Sequence, residues 1–113
     1  MTEVLLPTGW LRGVLEPLLI ALLADGEAYG YELAGRLEEA GLGRVPGGSL
    51  YPALLRLEKQ EKVVAEWRAG DGGPGRKYYS LTPEGREALE GQAETWEQFA
   101  AAVTSILTVA APS

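Results

Sequence analysis

Apolar side chains recur at helical spacing near the start of the chain. The run from Leu15 to Leu23 places leucines three or four positions apart, and an Asp-Gly pair at 25–26 follows it. This spacing predicts a buried helix that ends at the Asp-Gly pair. Because Pro17 lies inside the run, we expect the regular helix to begin near Glu16, after a looser or kinked turn over residues 10–15.

A second helix is predicted from Tyr29 to Ala40. Its inward positions are apolar: Leu33, Ala34 and Leu37. Gly41 is suited to the left-handed position that follows a helix, and Leu42 supplies the apolar residue that accompanies such an ending. The pattern therefore predicts a sharp stop, followed by a glycine-containing turn.

A third helix is predicted from Ser49, as its N-cap, to about Gln60, with Pro52 in the first turn. At 100° per residue one face is apolar: Leu50, Ala53, Leu54 and Leu57. The opposite face combines small, aromatic, apolar and cationic residues: Ser49, Tyr51, Pro52, Leu55, Arg56 and Lys59. Taken alone, this pattern is more typical of an ordinary amphipathic helix with a solvated face than of a binding surface.

Period-two alternation follows the third helix. Residues 63–68 and 76–81 predict two strands, and the glycine-rich stretch 69–75 predicts a flexible hairpin tip between them. Thr82 is expected to cap a final helix with Pro83 at its first position. Arg76 and Lys77, directly after the tip, could bind phosphates, although solubilising cations on a strand are an equal alternative.

The C-terminal segment carries a long apolar stripe with alternating spacings of four and three residues. The stripe is flanked by Phe99 and Ile106 and consists of Leu89, Ala93, Trp96, Ala100, Val103, Leu107 and Ala110. Such spacing is typical of a seam that packs against another helix. We therefore expect residues 83–113 to form a dimerisation helix, with help from the first helix around residues 10–15. Packing of the stripe against the first helix within one chain is the alternative.

The order of the elements predicts a fold class that is mainly α with a small β-hairpin: a winged helix-turn-helix over residues 1–82 plus the C-terminal helix. In this architecture the third helix enters the major groove and the hairpin contacts the flanking backbone. This order favours DNA binding over the solvated-face alternative. The predicted DNA-binding residues are Tyr29, Ser49, Tyr51, Pro52, Arg56, Lys59, Arg76, Lys77 and Tyr78.

Composition narrows the possible chemistry. The 113 residues suffice for one domain, and the absence of His and Cys excludes imidazole or thiolate metal sites, disulfides and Cys/His nucleophiles. The net charge of −6 is concentrated toward the two ends, so a nucleic acid would have to contact the neutral to slightly basic middle. We expect a cytoplasmic protein without a cofactor, a signal segment or a membrane partner.

Two other functional classes remain as alternatives. The C-terminal glutamates could in principle act in acid-base catalysis, but their spacing favours a solvated helix face, and we expect no enzyme. A dimeric ligand-binding or interaction module that has lost DNA binding is compatible with the acidic net charge. A gel shift against DNA from the protein's own promoter region would separate these classes.

Five short motifs resemble those of the PadR-like transcriptional regulators. They are LRG at 11–13, YGYEL at 29–33, GSLYPAL at 48–54, RLEKQ at 56–60 and GRKYYSLTPEG at 75–85. The chain is similar to the compact subgroup with a single short C-terminal helix. The resemblance implies a homodimeric bacterial repressor that binds an inverted repeat and is often released by a small molecule.

Three positions depart from the family pattern. Glu61 and Lys62 stand where relatives usually have a glycine and an apolar residue, so we expect the third helix to run on or fray. Leu55 is apolar where relatives often carry a basic or polar residue.

Trp96 lies in the middle of the stripe, so a two-fold axis near it would bring two indoles together. We therefore expect the C-terminal stripe to form the dimer contact and to hold any planar aromatic effector, although two tryptophans packed as core are the more ordinary outcome. The residues assigned to this role are Leu89, Ala93, Trp96, Phe99, Ala100, Val103 and Leu107.

Overall fold

The computed structural model describes residues 8–70 and 72–110. Of the predicted segments, residues 1–7, Asp71 in the hairpin tip and residues 111–113 lie outside the described residues. In chain order the elements are α1 (Thr8–Leu23), β1 (Ala28–Tyr29), α2 (Gly30–Leu37), α3 (Gly47–Lys59), β2 (Val63–Arg68), β3 (Arg76–Leu81), α4 (Pro83–Leu89) and α5 (Gln92–Ala110).

The first helix is longer than its proline suggested. α1 is continuous through Pro17, so the predicted start near Glu16 is wrong. Leu11 and Leu15, which precede the proline, are buried in the core and hold the first turns in helical form. The carbonyl that Pro17 leaves without a partner belongs to Gly13, which is exposed and can be hydrated.

The second helix is shorter than predicted because Tyr29 belongs to a strand. The backbone N–H of Tyr29 donates to the Glu32 carboxylate at 3.1 Å, and α2 begins at Gly30. After α2 the chain continues through a π-helical turn, Glu38–Leu42, which contains Gly41 at φ +96°. The left-handed glycine that the sequence predicted is thus present at the end of this turn.

The third helix begins earlier than predicted. Pro46 is its N-cap, so Ser49 is not the cap, and Pro52 lies beyond the first turn. The Ser49 N–H instead donates to the Pro46 carbonyl at 2.9 Å, within the first turn of the helix. The glycines at 47 and 48, despite their low helix propensity, are part of α3, which tertiary packing of its apolar face stabilises.

The predicted fraying after α3 is wrong. The helix stops at Lys59, and Glu61 adopts φ +59°, the left-handed conformation usually given to glycine. The Glu61 N–H bonds the Glu58 carbonyl at 2.9 Å, and the Lys62 N–H bonds the Leu57 carbonyl at 2.9 Å. These two bonds form a Schellman motif, which ends the helix at the cost of a strained glutamate.

The two predicted strands are confirmed, and a third joins them. β3 pairs antiparallel with β2 on one side and with β1 on the other, so the order is β1-β3-β2. Tyr79 lies opposite both Ala28 and Ala65 and is buried. The helices supply most of one continuous core, whose members are Leu11, Leu15, Leu19, Ile20, Leu23, Ala28, Leu33, Leu37, Val45, Leu50, Ala53, Leu54, Leu57, Val63 and Tyr79.

The predicted single C-terminal helix is two helices. Thr82 caps α4 as expected, because its Oγ1 accepts from the Gly85 N–H at 3.0 Å. The chain then breaks at Glu90 and at Gly91, which has φ +79°. α4 packs against the core through Ala88 and Leu89, while α5 forms a separate arm.

Candidate nucleic-acid interface

The two faces of α3 separate as the sequence predicted. The core-facing residues are Leu50, Ala53, Leu54 and Leu57, and all are buried. On the outer side Ser49 is half-buried, and the remaining predicted residues are exposed: Tyr51, Pro52, Leu55, Arg56 and Lys59. The helix therefore presents one solvent-facing surface, which is apolar at its centre.

The cations of α3 differ in their surroundings. Arg56 turns toward α1, where its Nε lies 3.0 Å from a carboxylate oxygen of Glu16. Lys59 is exposed and makes no ion pair with another described residue. Of the two predicted cations, Lys59 is therefore the one whose charge is available without rearrangement.

Tyr51 is held against the start of α2. A Cβ added at Gly30 would lie 2.6 Å from the Tyr51 hydroxyl oxygen and 2.7 Å from its Cε1. The bare backbone of Gly30 is thus the surface on which the tyrosine ring lies. This contact gives Tyr51 a fixed position at the edge of the exposed face.

The hairpin of β2 and β3, here called the wing, places its cations on two sides. The Lys77 ammonium lies 3.1 Å from Glu58 on α3 and 5.6 Å from the centre of the Tyr79 ring. Burial raises the pKa of the Tyr79 hydroxyl above its usual range. Arg76 is exposed on the other side of β3, with its guanidinium carbon 4.7 Å above the Tyr29 ring.

The outer face of the sheet carries a stack of rings and guanidinium groups. The Tyr29 and Tyr78 rings meet edge to face at 5.4 Å, and Arg68 lies over Tyr78 at 4.6 Å. Arg68 also donates to both carboxylate oxygens of Glu27, one of them at 2.7 Å. The hydrogen bond from Arg68 holds the pKa of Glu27 below its usual value.

A cleft of about 540 Å³ separates α3 from the wing. Tyr51 and Leu55 line it from the helix, Trp67 and Lys77 from the strands, and Tyr31 from α2. The sequence pattern indicated no role for Tyr31 or Trp67, which are both exposed here. The placement of Trp67 at the end of an alternating strand, next to the glycine-rich tip, was the signal that could have indicated it.

The residues predicted for dimerisation all lie on α5 except Leu89. Leu89 lies on α4 and packs against the core, apart from the rest. The α5 residues are largely exposed, with Trp96 at 51% and its ring 6.1 Å from that of Phe99. The other seam residues are Ala93, Ala100, Val103, Ile106 and Leu107. The side chain of Ala110 lies outside the described residues.

Residues 8–70 and 72–110 contain neither a cluster of metal-binding side chains nor a membrane-spanning helix. Across these residues no group of three or more acidic side chains is placed to share a metal ion. None of the helices in this part of the chain combines the length and the apolar character needed to cross a bilayer.

Comparison with known proteins identifies the family of this chain. The family model of the transcriptional regulator PadR-like family matches residues 19–91, from the last turns of α1 to the break between α4 and α5. The chain belongs to the PadR-like family. The family comprises transcriptional regulators rather than enzymes, and the resemblance found in the five motifs is confirmed.

Two relatives match about two thirds of this chain. Transcriptional regulator Rv3488 of Mycobacterium tuberculosis is 42% identical over 77 residues, covering 68% of this chain and 70% of that protein. An uncharacterised 37.1 kDa protein in transposon TN4556 of Streptomyces fradiae is 38% identical over 78 residues, or 69% of this chain. The match spans 21% of the length of that second protein.

Solved structures confirm the fold. A PadR-like transcriptional regulator from Bacillus cereus is 38% identical and superposes with a TM-score of 0.71, covering 86% of this chain and 94% of that one. The predicted winged helix-turn-helix is therefore confirmed, with a three-stranded sheet in place of a bare hairpin.

Proposed function

We propose that this PadR-like regulator binds duplex DNA as a homodimer and represses transcription from an inverted-repeat operator. The observation that supports this most is the surface formed by the exposed face of α3 and the adjoining wing. In winged helix-turn-helix proteins the corresponding helix enters the major groove, and the wing contacts the neighbouring backbone. Family membership supports the same function.

The proposed contacts divide by element. On α3 the residues that approach the major groove are Ser49, Tyr51, Pro52, Arg56 and Lys59. At the sheet the residues that approach the phosphates are Tyr29, Arg76, Lys77 and Tyr78. Arg76 and Lys59 are exposed and supply positive charge directly, whereas the tyrosine hydroxyls supply hydrogen bonds.

DNA binding would require two ion pairs to open. Arg56 would leave Glu16, and Lys77 would leave Glu58, before either cation could reach a phosphate. Partly exposed ion pairs of this kind contribute about 0–1 kcal/mol each, so a phosphate contact offsets their opening. The pairs therefore reduce affinity modestly without preventing binding.

A gel shift with promoter DNA tests the proposal at the level of residues. Arg56→Ala and Lys77→Ala should each weaken the shift, whereas Arg86→Ala on α4 should leave it near the wild-type value. If both variants bind like the wild type across salt concentrations, the assigned face is wrong. If the folded wild type shifts no duplex even at low salt, the alternative of a module without DNA binding is favoured.

The homodimer is proposed to form through α5. A second copy of α5 would cover the seam that includes Trp96, Val103 and Leu107, which is exposed in a single chain. Two recognition helices about 34 Å apart would then meet successive turns of the duplex, as an inverted repeat requires. Sedimentation at micromolar concentration tests this step, and a monomer with a folded α5 would defeat it.

The proposal includes a planar aromatic effector that binds beside Trp96. The half-exposed indole of Trp96 and the neighbouring Phe99 ring offer flat apolar surface, and the small Ala93 and Ala100 leave room beside it. Tryptophan fluorescence titration with planar dyes, on the wild type and on Trp96→Ala, tests the idea. Unchanged dye affinity in the variant would remove Trp96 from this role.

A further inference from the structure

The centre of the exposed face of α3 lacks hydrogen-bonding side chains. Leu55 is 48% exposed there and stands one helical turn from both Tyr51 and Lys59. Pro52, three residues before it, is also exposed and has neither a polar side chain nor a backbone N–H. Leu55 therefore offers an exposed apolar contact at the middle of this surface, beside the cleft that it shares with Tyr51 and Trp67.

The polar neighbours of Leu55 are directed away from that centre. The Arg56 guanidinium is bound to Glu16 on α1. The Tyr51 hydroxyl lies against Gly30 at the start of α2. Lys59 is one turn farther along, where its ammonium is a compact point charge without the planar fork of arginine.

The major groove offers one apolar group to such a surface. The base edges present hydrogen-bond donors and acceptors, and thymine alone adds a methyl group at C5. A side chain without donors or acceptors cannot distinguish the polar edges by bonding to them. Leu55 is therefore matched in chemistry to the thymine methyl, the largest apolar group that an unmodified base pair presents in the major groove.

We infer that Leu55 is a specificity-determining residue that packs against a thymine methyl in each half-site. The inference rests on the proposed entry of α3 into the major groove. Recognition at the centre of this face is then apolar: Leu55 selects thymine, while Arg56, Lys59 and the cations of the wing contact the DNA around it. Burying one methyl group in such a contact is worth about fourfold in affinity.

A methyl-deletion experiment tests the inference without knowledge of the operator. The probes are two alternating duplex polymers, poly(dA-dT) and poly(dA-dU), which share every base-pair hydrogen-bonding group and differ in the C5 methyl. Each competes with a labelled mixed-sequence duplex for the full-length protein, and binding is followed by fluorescence anisotropy. The proteins compared are the wild type, Leu55→Ala, Lys59→Ala and the control Val64→Ala, which truncates an exposed apolar side chain on β2.

The wild type and Val64→Ala should bind the thymine polymer roughly 16-fold more tightly than the uracil polymer, because each of the two half-sites contributes about fourfold. Leu55→Ala should bind the two alike, whereas Lys59→Ala should weaken both and keep their ratio. Circular dichroism establishes that each variant is folded. Equal binding of both polymers by the wild type, or an unchanged ratio in Leu55→Ala, overturns the inference while leaving DNA binding intact. Failure of the folded wild type to bind the labelled duplex refutes the proposed function itself.

Discussion

Glu61 ends α3 in a conformation that suits glycine better. A left-handed conformation costs an L-residue roughly 1–2 kcal/mol, part of which glycine loses again through its freer unfolded chain. The Glu61 side chain is exposed, and the motif is built from backbone hydrogen bonds that any residue can make. The turn therefore holds a local strain that a single substitution can remove.

Glu61→Gly should raise the free energy of unfolding by about 0.5–1 kcal/mol. Urea denaturation at neutral pH measures the change. Glu61→Ala is the matched control, because it removes the carboxylate and keeps the side-chain carbon that causes the strain. If the alanine variant were stabilised as much as the glycine variant, loss of charge rather than relief of the backbone would be the cause.

Gly30 sets the position of Tyr51. Replacing this glycine should move the tyrosine, and so change DNA affinity, without changing the stability of the fold. In Gly30→Ala the new methyl would collide with the tyrosine ring, which can swing into solvent at little cost. We expect near-normal stability and a roughly threefold to tenfold loss of DNA affinity, the value of one hydrogen bond. Gly35→Ala, on the same helix with open space around it, should keep full affinity. Wild-type affinity in Gly30→Ala would show that Tyr51 need not be fixed.

At the scale of elements, the pair of Glu27 and Arg68 ties the residue before β1 to the end of β2. Its two hydrogen bonds span the outer face of the sheet across Tyr78, which lies on the central strand β3. The pKa of Glu27 is lowered in the folded protein, so its contribution to stability is present above the unfolded pKa of the carboxyl and is lost as pH falls through the folded value.

Glu27→Gln should therefore be less stable than the wild type at neutral pH, and the difference should shrink as the solution is acidified through the carboxylate range. Urea unfolding at a series of pH values measures both proteins. Glu66→Gln, whose parent carboxylate contacts Arg68 at a longer 3.4 Å, should show a smaller difference. If the free energies of unfolding of wild type and Glu27→Gln differed by the same amount at every pH, the stabilising role assigned to the Glu27–Arg68 pair would be contradicted.

The elements with strong periodicity were predictable, and those fixed by distant contacts were not. Residues 63–68 and 76–81 alternate clearly, and their strands were predicted to the residue. β1 has two residues and no period of its own, because it exists through pairing with β3 some fifty positions away. The break at Gly91 was missed because the apolar spacing runs across it from Leu89.

The candidate site was predictable in composition but not in its contacts. Helical spacing correctly separated the buried from the exposed side of α3. The ion pair of Arg56 with Glu16 joins residues forty positions apart, and that of Lys77 with Glu58 joins strand to helix. Neither pair leaves a local pattern, so sequence reasoning treated both cations as free.

At the scale of the whole molecule, α5 projects from the winged domain with its apolar residues exposed. Leu107→Glu would place a charge in the proposed seam of each subunit and should raise the dimer Kd roughly 30-fold or more. Val109→Glu is the matched control, since Val109 lies on the other side of α5 and is 85% exposed. Sedimentation over a concentration series decides, and a dimer unaffected by Leu107→Glu would exclude this seam.

The proposed function requires duplex DNA to contact α3 and the wing, and the salt dependence of binding tests this contact most directly. Anisotropy titrations of a mixed-sequence duplex should give a log affinity that falls linearly with log salt concentration. In Arg76→Ala that slope should be shallower by about 0.9 for each phosphate that the variant no longer neutralises, while Arg86→Ala keeps the wild-type slope. Equal slopes in all three proteins, or no binding by the wild type at low salt, would contradict the account.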